Sequence, residues 1–387
     1  MSFRSVYTPV AKPSITRLER KYVSKAVRST WIGSKGYYLD RVAEEFATVC
    51  GVEHVALVSN GTVALHLAML ALDIKHGDEV IVPDLTYVAV PNAVRYCQAT
   101  PIFCQISQND WNIDPTKIAE LITERTRALV VVNSFGRIAD YDAIREILLL
   151  KKRSDIKIIE DASQSHLAYV GKRKAGSFGD LSTFSFFANK ILTSGEGGAV
   201  CSSDKSLIER VNFLKNQAID SSSDNYFYFS EIGFNYRMTN IAAAILCAQI
   251  ERSNEILTKR LEIYDIYNSQ LCRNSNIRTQ PHLPNSLNAP WLYPILVINS
   301  SNSNLRNQAI NYLREKSIES RPFFSPLSKL PAFQALGAST SPDTESICNS
   351  GLNLPTFSEI SKREIKFIAQ TLITFLEGFS QPAMHTD

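Results

Sequence analysis

"FSFFANKILTSGEGG", residues 184–198, sets Lys190 between an apolar run and a cluster of glycines. The run reads as a buried strand, with Ser185 five residues before the lysine. An amine placed there is either a solvated surface group or a nucleophile kept partly out of water. Outward from this stretch, short apolar runs alternate with helical patterns. "HVALVS" (54–59) precedes "GTVALHLAMLAL" (61–72), and "DEVIVPD" (78–84) precedes "VAVPNAVRYC" (88–97). "TPIFCQI" (100–106) leads into "PTKIAELITERT" (115–126), and "RALVVVNSF" (127–135) into "DYDAIREILLLKK" (140–152). "IKIIEDA" (156–162), "DLSTFSFF" (180–187) and "GGAVCS" (197–202) complete the series. Continuous apolar strands separated by helices predict a mainly parallel sheet covered on both faces. Ligands in such sheets gather at the carboxyl ends of the strands.

Beyond residue 204 the pattern turns helical around a polar, aromatic loop, "DSSSDNYFYFSEIGFNYR" (220–237). A charged helix is expected over "QIERSNEILTKRLEIYDIYNSQL" (249–271). "WLYPILVI" (291–298) then reads as a strand, and "SNLRNQAINYLREKS" (303–317) and "SKREIKFIAQTLITFLEGF" (361–379) as helices. These predict a large α/β domain over 1–250 and a smaller α+β domain over 251–387. The tail "SQPAMHTD" is expected to fray.

The chain has 387 residues, 44% hydrophobic and 20% charged, with a net charge of +3. That charge argues for neither a nucleic-acid stripe nor a membrane-seeking surface. The short cluster Lys172-Arg173-Lys174 reads as a solvated loop or a contact for an anion. No apolar run has the length of a membrane span and the N-terminus carries no apolar signal core, so the cytoplasm is the expected compartment. The seven cysteines lack CxxC spacing and the six histidines do not cluster. Buried reduced thiols and no metal site are expected.

What chemistry suits Lys190? A pyridoxal 5'-phosphate site needs a lysine for the covalent link and a carboxylate to keep the pyridine nitrogen protonated. It also needs a phosphate cradle, best made by a helix N-terminus, and gains from an aromatic face. Asp161 closes an otherwise apolar strand. It would either cap the next turn or pair with a pyridinium, because a carboxylate buried there needs a cation. "SNGTVALHL" (59–67) is either a plain N-cap or an anion cradle at Gly61 and Thr62. Tyr87 is either core or a stacking face, and Ser185 is placed to bond a phosphate. Each feature alone is weak. Their order (glycine turn, aromatic, aspartate, lysine, all at strand ends of one sheet) is the order a fold-type I pyridoxal phosphate enzyme requires.

With these blocks and "IGFNYRMTNIAAAI" (232–245), the sequence resembles the DegT-type nucleotide-sugar aminotransferases from about residue 12 to 375. Within them the likeness is strongest to the GDP-perosamine synthases, through "WNIDP" (111–115), "RPFFSPL" (321–327) and "GLNLPT" (351–356). The resemblance implies a fold-type I, aspartate aminotransferase-like architecture. It implies that Lys190 carries the cofactor, that Asp161 meets the pyridine nitrogen and that Gln164 lies near the ring hydroxyl. Gly61, Thr62 and Ser185 would bind the phosphate, Tyr87 would stack, and Asn235 would reach the cofactor phosphate of the neighbouring subunit in a homodimer. Glutamate would be the donor, pyridoxamine 5'-phosphate the amine carrier, and a nucleotide-linked 4-keto sugar the acceptor. A dehydratase branch carries histidine in place of Lys190, so the lysine argues for amination.

Substrate contacts are expected from Gly33 and Ser34 in "STWIGSKGYYL" (29–39), from Arg237, and from Arg321 and Phe323 where the small domain should close. Arg237 and Arg321 would otherwise serve structural ion pairs. "YFYF" (226–229) is expected at a dimer contact. The chain departs from the family pattern at "EDASQSHL" (160–167), at "FGRIAD" (135–140) and before "GFNYR", where a tryptophan–histidine pair is common. These departures leave room for other keto sugars, including dTDP- or UDP-linked ones and an eight-carbon keto-acid sugar. They also leave a dehydratase or a catalytically silent regulatory relative as alternatives of a different class.

Overall fold

The run around Lys190 is an interior strand of a seven-stranded sheet. The chain is described here from a computed structural model that covers residues 7–220, 225, 227–281, 285–298 and 304–379. The tail at 380–387 and Tyr226 of the aromatic run lie outside the described residues. The strands are β1 (His54–Val58), β2 (Glu79–Pro83), β3 (Thr100–Cys104), β4 (Thr126–Val132), β5 (Lys157–Asp161), β6 (Leu181–Ser185) and β7 (Gly198–Ser202). Their spatial order is β1-β7-β6-β5-β4-β2-β3. The pairs β2/β3, β2/β4, β4/β5 and β5/β6 are parallel, while β7 runs antiparallel to both β1 and β6. The mainly parallel sheet expected from the apolar runs is therefore present. The reversed β7 follows from the tight 186–197 connection, which returns the chain beside β6 without a helical crossover.

Helices cover both faces. In α1 (Arg17–Arg28) the Thr16 side chain and Glu19 form a capping box. In α2 (Tyr37–Cys50) the buried residues Tyr38, Val42, Phe46 and Cys50 fall at four-residue steps, one stripe against the sheet. Helix α3 (Gly61–Ala71) is apolar all round and is buried from Ala64 to Met69, because it packs between the sheet and the helix at Ala89–Tyr96. The single charged helix expected over 249–271 is two helices, Asn240–Glu251 and Ser253–Leu271. They break at Arg252, whose guanidinium lies 2.5 Å from the buried Glu19 and 3.2 Å from Glu255.

A second sheet has four antiparallel strands: β8 (Ile277–Thr279), β9 (Tyr293–Val297), β10 (Arg321–Pro322) and β11 (Gly351–Leu354), in the order β8-β9-β11-β10. The helices at Leu305–Glu315 and Lys362–Glu377 pack on it, as expected of an α+β unit. The helix Ser253–Leu271 serves both cores: Ile256 packs with the large sheet, and Ile263, Tyr264, Tyr267 and Leu271 pack with the small one.

Two contacts bring the small sheet over the strand ends. The buried Asp84, just past β2, accepts from the Ser328 amide at 2.7 Å and its hydroxyl at 2.9 Å. Gly136, past β4, has φ +95°, and a Cβ there would lie 1.8 Å from the Ala289 carbonyl oxygen. Only glycine admits this approach, which carries residues 289–291 onto the sheet. All seven cysteines are free thiols, and six of them are buried. No helix among the described residues is long and apolar enough to cross a membrane.

Candidate active site

Lys190 follows β6 on a turn in which its amide donates to the Phe187 carbonyl at 2.9 Å. Its Nζ stands 4.1 Å from the ring centroid of Trp291. Burial pushes the amine down to about 8, with the nearby Asp161 carboxylate pulling the other way. Among the described residues no carboxylate lies within ion-pair distance of Lys190.

Asp161 is the last residue of β5, paired with Val132 on one side and Thr183 on the other. It is buried, and its Oδ1 accepts from the Ser163 amide at 3.0 Å. Burial raises its pKa, while the Ser163 bonds and Lys190 oppose the rise. Its neighbour Glu160 is also buried but faces the other way. Glu160 accepts from the amides of Gly176 (2.9 Å) and Phe178 (2.8 Å) and from Asn133 Nδ2 (2.8 Å), the bonds of a structural carboxylate. Gln164 is buried, and its Oε1 accepts from the Phe135 amide at 2.9 Å, which leaves the Nε2 hydrogens to donate elsewhere. His166 lies between the rings of Phe184 and Phe186, with centroids at 5.4 and 5.7 Å. Burial, then the charge of Lys190, push its pKa down to about 3, so the imidazole is neutral.

The N-terminus of α3 stands against the end of β6. The Asn60 side chain caps α3 by accepting from the Val63 amide at 3.0 Å. The amides of Gly61 and Thr62, in the first turn, have no carbonyl behind them within the helix. A Cβ on Gly61 would lie 2.7 Å from Ser185 Cβ, so the helix terminus abuts the end of β6. At the ends of two other strand-to-loop exits, Thr86 Oγ1 past β2 and Asn189 Oδ1 past β6 are buried and lack hydrogen-bond partners. A cradle closed by a side chain and buried polar atoms awaiting partners both fit an anionic, polar cofactor. Gly61→Ala is expected to weaken pyridoxal phosphate binding about tenfold and to lower Tm by a few degrees, because the methyl crowds Ser185 at the cradle. Titration of the apoenzyme by absorbance checks this, and an unchanged Kd would remove Gly61 from the cradle.

Tyr87 follows β2 and is 57% exposed. Its ring neighbour is Phe324, at 5.7 Å between centroids. Phe323, expected to face substrate, is instead buried, stacked on Phe135 at 4.2 Å and edge-on to Trp111 at 5.5 Å. Adjacent residues on an extended segment point to opposite sides, so Phe324 is the aromatic that lies beside Tyr87. Arg321 is exposed, and its guanidinium is held by Glu319 Oε1 at 2.9 Å.

Asn235 and Arg237 lie on an extended segment that bridges Asn216 and Val58. Phe234 and Tyr236 stack at 4.8 Å and meet the buried His66 at 5.1 and 6.0 Å. This alternation turns Asn235 outward, where it is exposed. Arg237 donates to Asn216 Oδ1 at 2.5 Å and lines a cleft of about 380 Å³ with Ser34, Lys35 and Lys215. Gly33 is exposed beside it, its carbonyl accepting from the Asn240 amide at 2.6 Å. The structure thus gathers Lys190, Asp161, Gln164, Gly61, Thr62 and Ser185 at the strand ends. It places Ser34 and Arg237 in the lining of the 380 Å³ cleft, with Gly33 next to Ser34 in the chain. Phe324, the partner of Phe323 in the expected aromatic pair, lies beside Tyr87, and Trp291, read only as part of a strand, faces Lys190.

The sequence matches the DegT/DnrJ/EryC1/StrS aminotransferase family over residues 13–373. It is 38% identical to a GDP-perosamine synthase of Escherichia coli O157:H7, covering 95% of this chain and 98% of the relative. It is 39% identical to a GDP-perosamine synthase of Caulobacter vibrioides, over 94% of this chain and 96% of that one. The fold superposes on the crystal structure of the aminotransferase TlmJ from Streptoalloteichus hindustanus with a TM-score of 0.89 at 26% identity, over 97% of this chain and all of that one. The chain belongs to the DegT/DnrJ/EryC1/StrS aminotransferase family and is a pyridoxal phosphate-dependent sugar aminotransferase.

Proposed function

We propose that this enzyme moves an amino group from glutamate to C4 of a GDP-linked 4-keto-6-deoxyhexose, GDP-4-keto-6-deoxymannose, to give a perosamine-type product. The observation that carries the reading is a partly buried lysine within electrostatic reach of a buried aspartate, with the Gly61–Ser185 contact on the same strand end. The GDP-sugar is supported by identities of 37–39% to three GDP-perosamine synthases over nearly the whole chain.

Bound pyridoxal phosphate supplies the electron sink at the carbon that gains or loses the amine. Asp161 holds the proton on the pyridine nitrogen, and Gln164 donates toward the ring hydroxyl. Gly61, Thr62 and Ser185 would hold the phosphate, and Tyr87 would pack on the ring. Lys190 moves the proton between the substrate carbon and the cofactor carbon, a task that suits an amine with a pKa near working pH. Arg237 and Ser34, with Lys35 and Lys215 around the same cleft, suit an anionic group of the nucleotide sugar. With this reading go a cofactor domain over 1–250 and a smaller domain over 251–387 that closes on the sugar, carrying Phe324 beside Tyr87.

A homodimer is part of the proposal, with Asn235 reaching the neighbour's cofactor phosphate. Exposed Trp31, Ile32, Tyr37, Phe227, Phe229 and Ile232 are apolar surface that a second copy would cover.

The test is spectroscopic. Glutamate should remove the visible band of the bound cofactor, and GDP-4-keto-6-deoxymannose should restore it. Loss without restoration moves the search to other keto sugars. No response to glutamate defeats the donor assignment.

A further inference from the structure

Once the cofactor carries the amine, Lys190 is free and needs a place for its positive charge. On the reading above, Asp161 is then committed to the pyridine nitrogen. We infer that the indole face of Trp291 is the resting place of the Lys190 ammonium between half-reactions, and that Arg260 is the positioning residue that keeps the indole there. The inference rests on the assignment of Lys190 as the cofactor lysine.

Trp291 is buried, and its ring lies under Nζ at 4.1 Å, inside the range of a cation–π contact. Two anchors fix the ring. The indole N–H donates to the Asn189 carbonyl at 2.9 Å, one residue before the lysine it faces. The Trp291 carbonyl accepts from Arg260 Nη1 at 2.7 Å. Arg260 sits in the helix Ser253–Leu271 and is 3% exposed. The same Nη1 also meets the carbonyls of Pro290 at 3.3 Å and Thr356 at 3.4 Å, and no carboxylate lies within ion-pair distance among the described residues. A guanidinium buried on carbonyls alone is costly. Its position makes sense as the clasp that ties the 290–291 turn to a rigid helix.

The charged and titratable groups around the pair are few. Asp161 faces Lys190 from the end of β5, His166 from the loop that follows, and Arg260 stands behind Trp291 with the charge of Glu359 within its electrostatic reach. His166 is stacked on Phe184 and Phe186, and neither of its ring nitrogens makes a hydrogen bond to the ammonium. With Asp161 committed to the pyridine nitrogen, the indole face 4.1 Å from Nζ is the contact left to favour the charged form against burial.

The experiment measures how fast Lys190 in the full-length chain is acetylated by acetic anhydride as pH is varied, read by peptide mass spectrometry. It is done on apoenzyme and on enzyme loaded with pyridoxamine phosphate. Replacing tryptophan by mono- and difluorotryptophan weakens the π face with almost no change of shape. The labelling midpoint should fall stepwise, and Trp291→Leu should lower it by about one pH unit while Trp291→Phe retains most of it. Arg260→Met should shift it in the same direction as Trp291→Leu. A midpoint indifferent to fluorination overturns the inference even if Trp291→Leu fails to fold. Borohydride fixation of the cofactor, mapped by mass, separates the two failures. A cofactor on another lysine defeats the assignment of Lys190, whereas a cofactor on Lys190 with an unmoved midpoint defeats only the role of Trp291.

Discussion

Lys190→Ala is expected to reduce turnover by about 10⁴-fold or more, since one amine serves as both covalent anchor and proton carrier. Borohydride should then fix no cofactor to the chain. Lys190→Arg should be nearly as inactive, because guanidinium does not give up its proton at working pH. The rival is Lys215, the other lysine that burial pushes down to about 8. Its Nζ donates to the Leu57 carbonyl at 3.0 Å, its neighbouring charge is the cationic Arg237, and no carboxylate among the described residues pairs with it. Fixation of cofactor to Lys215 in the wild type would overturn the assignment. The pH dependence has a definite sign. Lys190 has a lowered pKa, so its reactive free-base form is present above about 8 and is lost as pH falls below it. The rate of cofactor capture by apoenzyme should therefore rise with pH and level off near 8, rather than near the ~10.4 of an ordinary lysine.

The sheet was legible because its strands are buried on both faces. "RALVVV" and "IKII" carry no alternation and are bounded by polar turns, which leaves few other readings. The lysine, the aspartate and the glycine cradle were legible because each sits at a strand end, where sequence order already fixes position. The reversal of β7 was not, since "GGAVCS" is equally apolar in either direction. Phe323 and Phe324 could not be told apart, because which of the two turns inward depends on the packing of Trp111 and Phe135, some 190 residues or more away in the chain. Trp291 reads as a plain core residue in "NAPWLYP". Its role is visible only when Gly136 and Arg260 bring that turn to Asn189, 102 residues from it. Arg321 reads as a substrate clamp, but it lies two residues from Glu319, whose carboxylate holds it.

Two adjacent buried carboxylates allow a sharper test than either alone. Asp161→Asn should lower kcat by about 10²- to 10⁴-fold, since an amide cannot keep the pyridine nitrogen protonated. The same change removes a buried charge, and its Ser163 amide bond can be kept by the Asn oxygen. Tm should therefore stay level or rise. Glu160→Gln should behave in the opposite way. That carboxylate accepts from Gly176, Phe178 and Asn133, and an amide can satisfy only part of this set. The expected loss is about 2–4 kcal/mol of stability, with turnover per folded molecule largely kept. Thermal melts beside kcat measurements on the two variants decide the matter. If Asp161→Asn runs at wild-type speed, the electron-sink role falls. If Glu160→Gln is the slow and stable one, the roles of the two acids are exchanged, and with them the face of the sheet on which the cofactor lies.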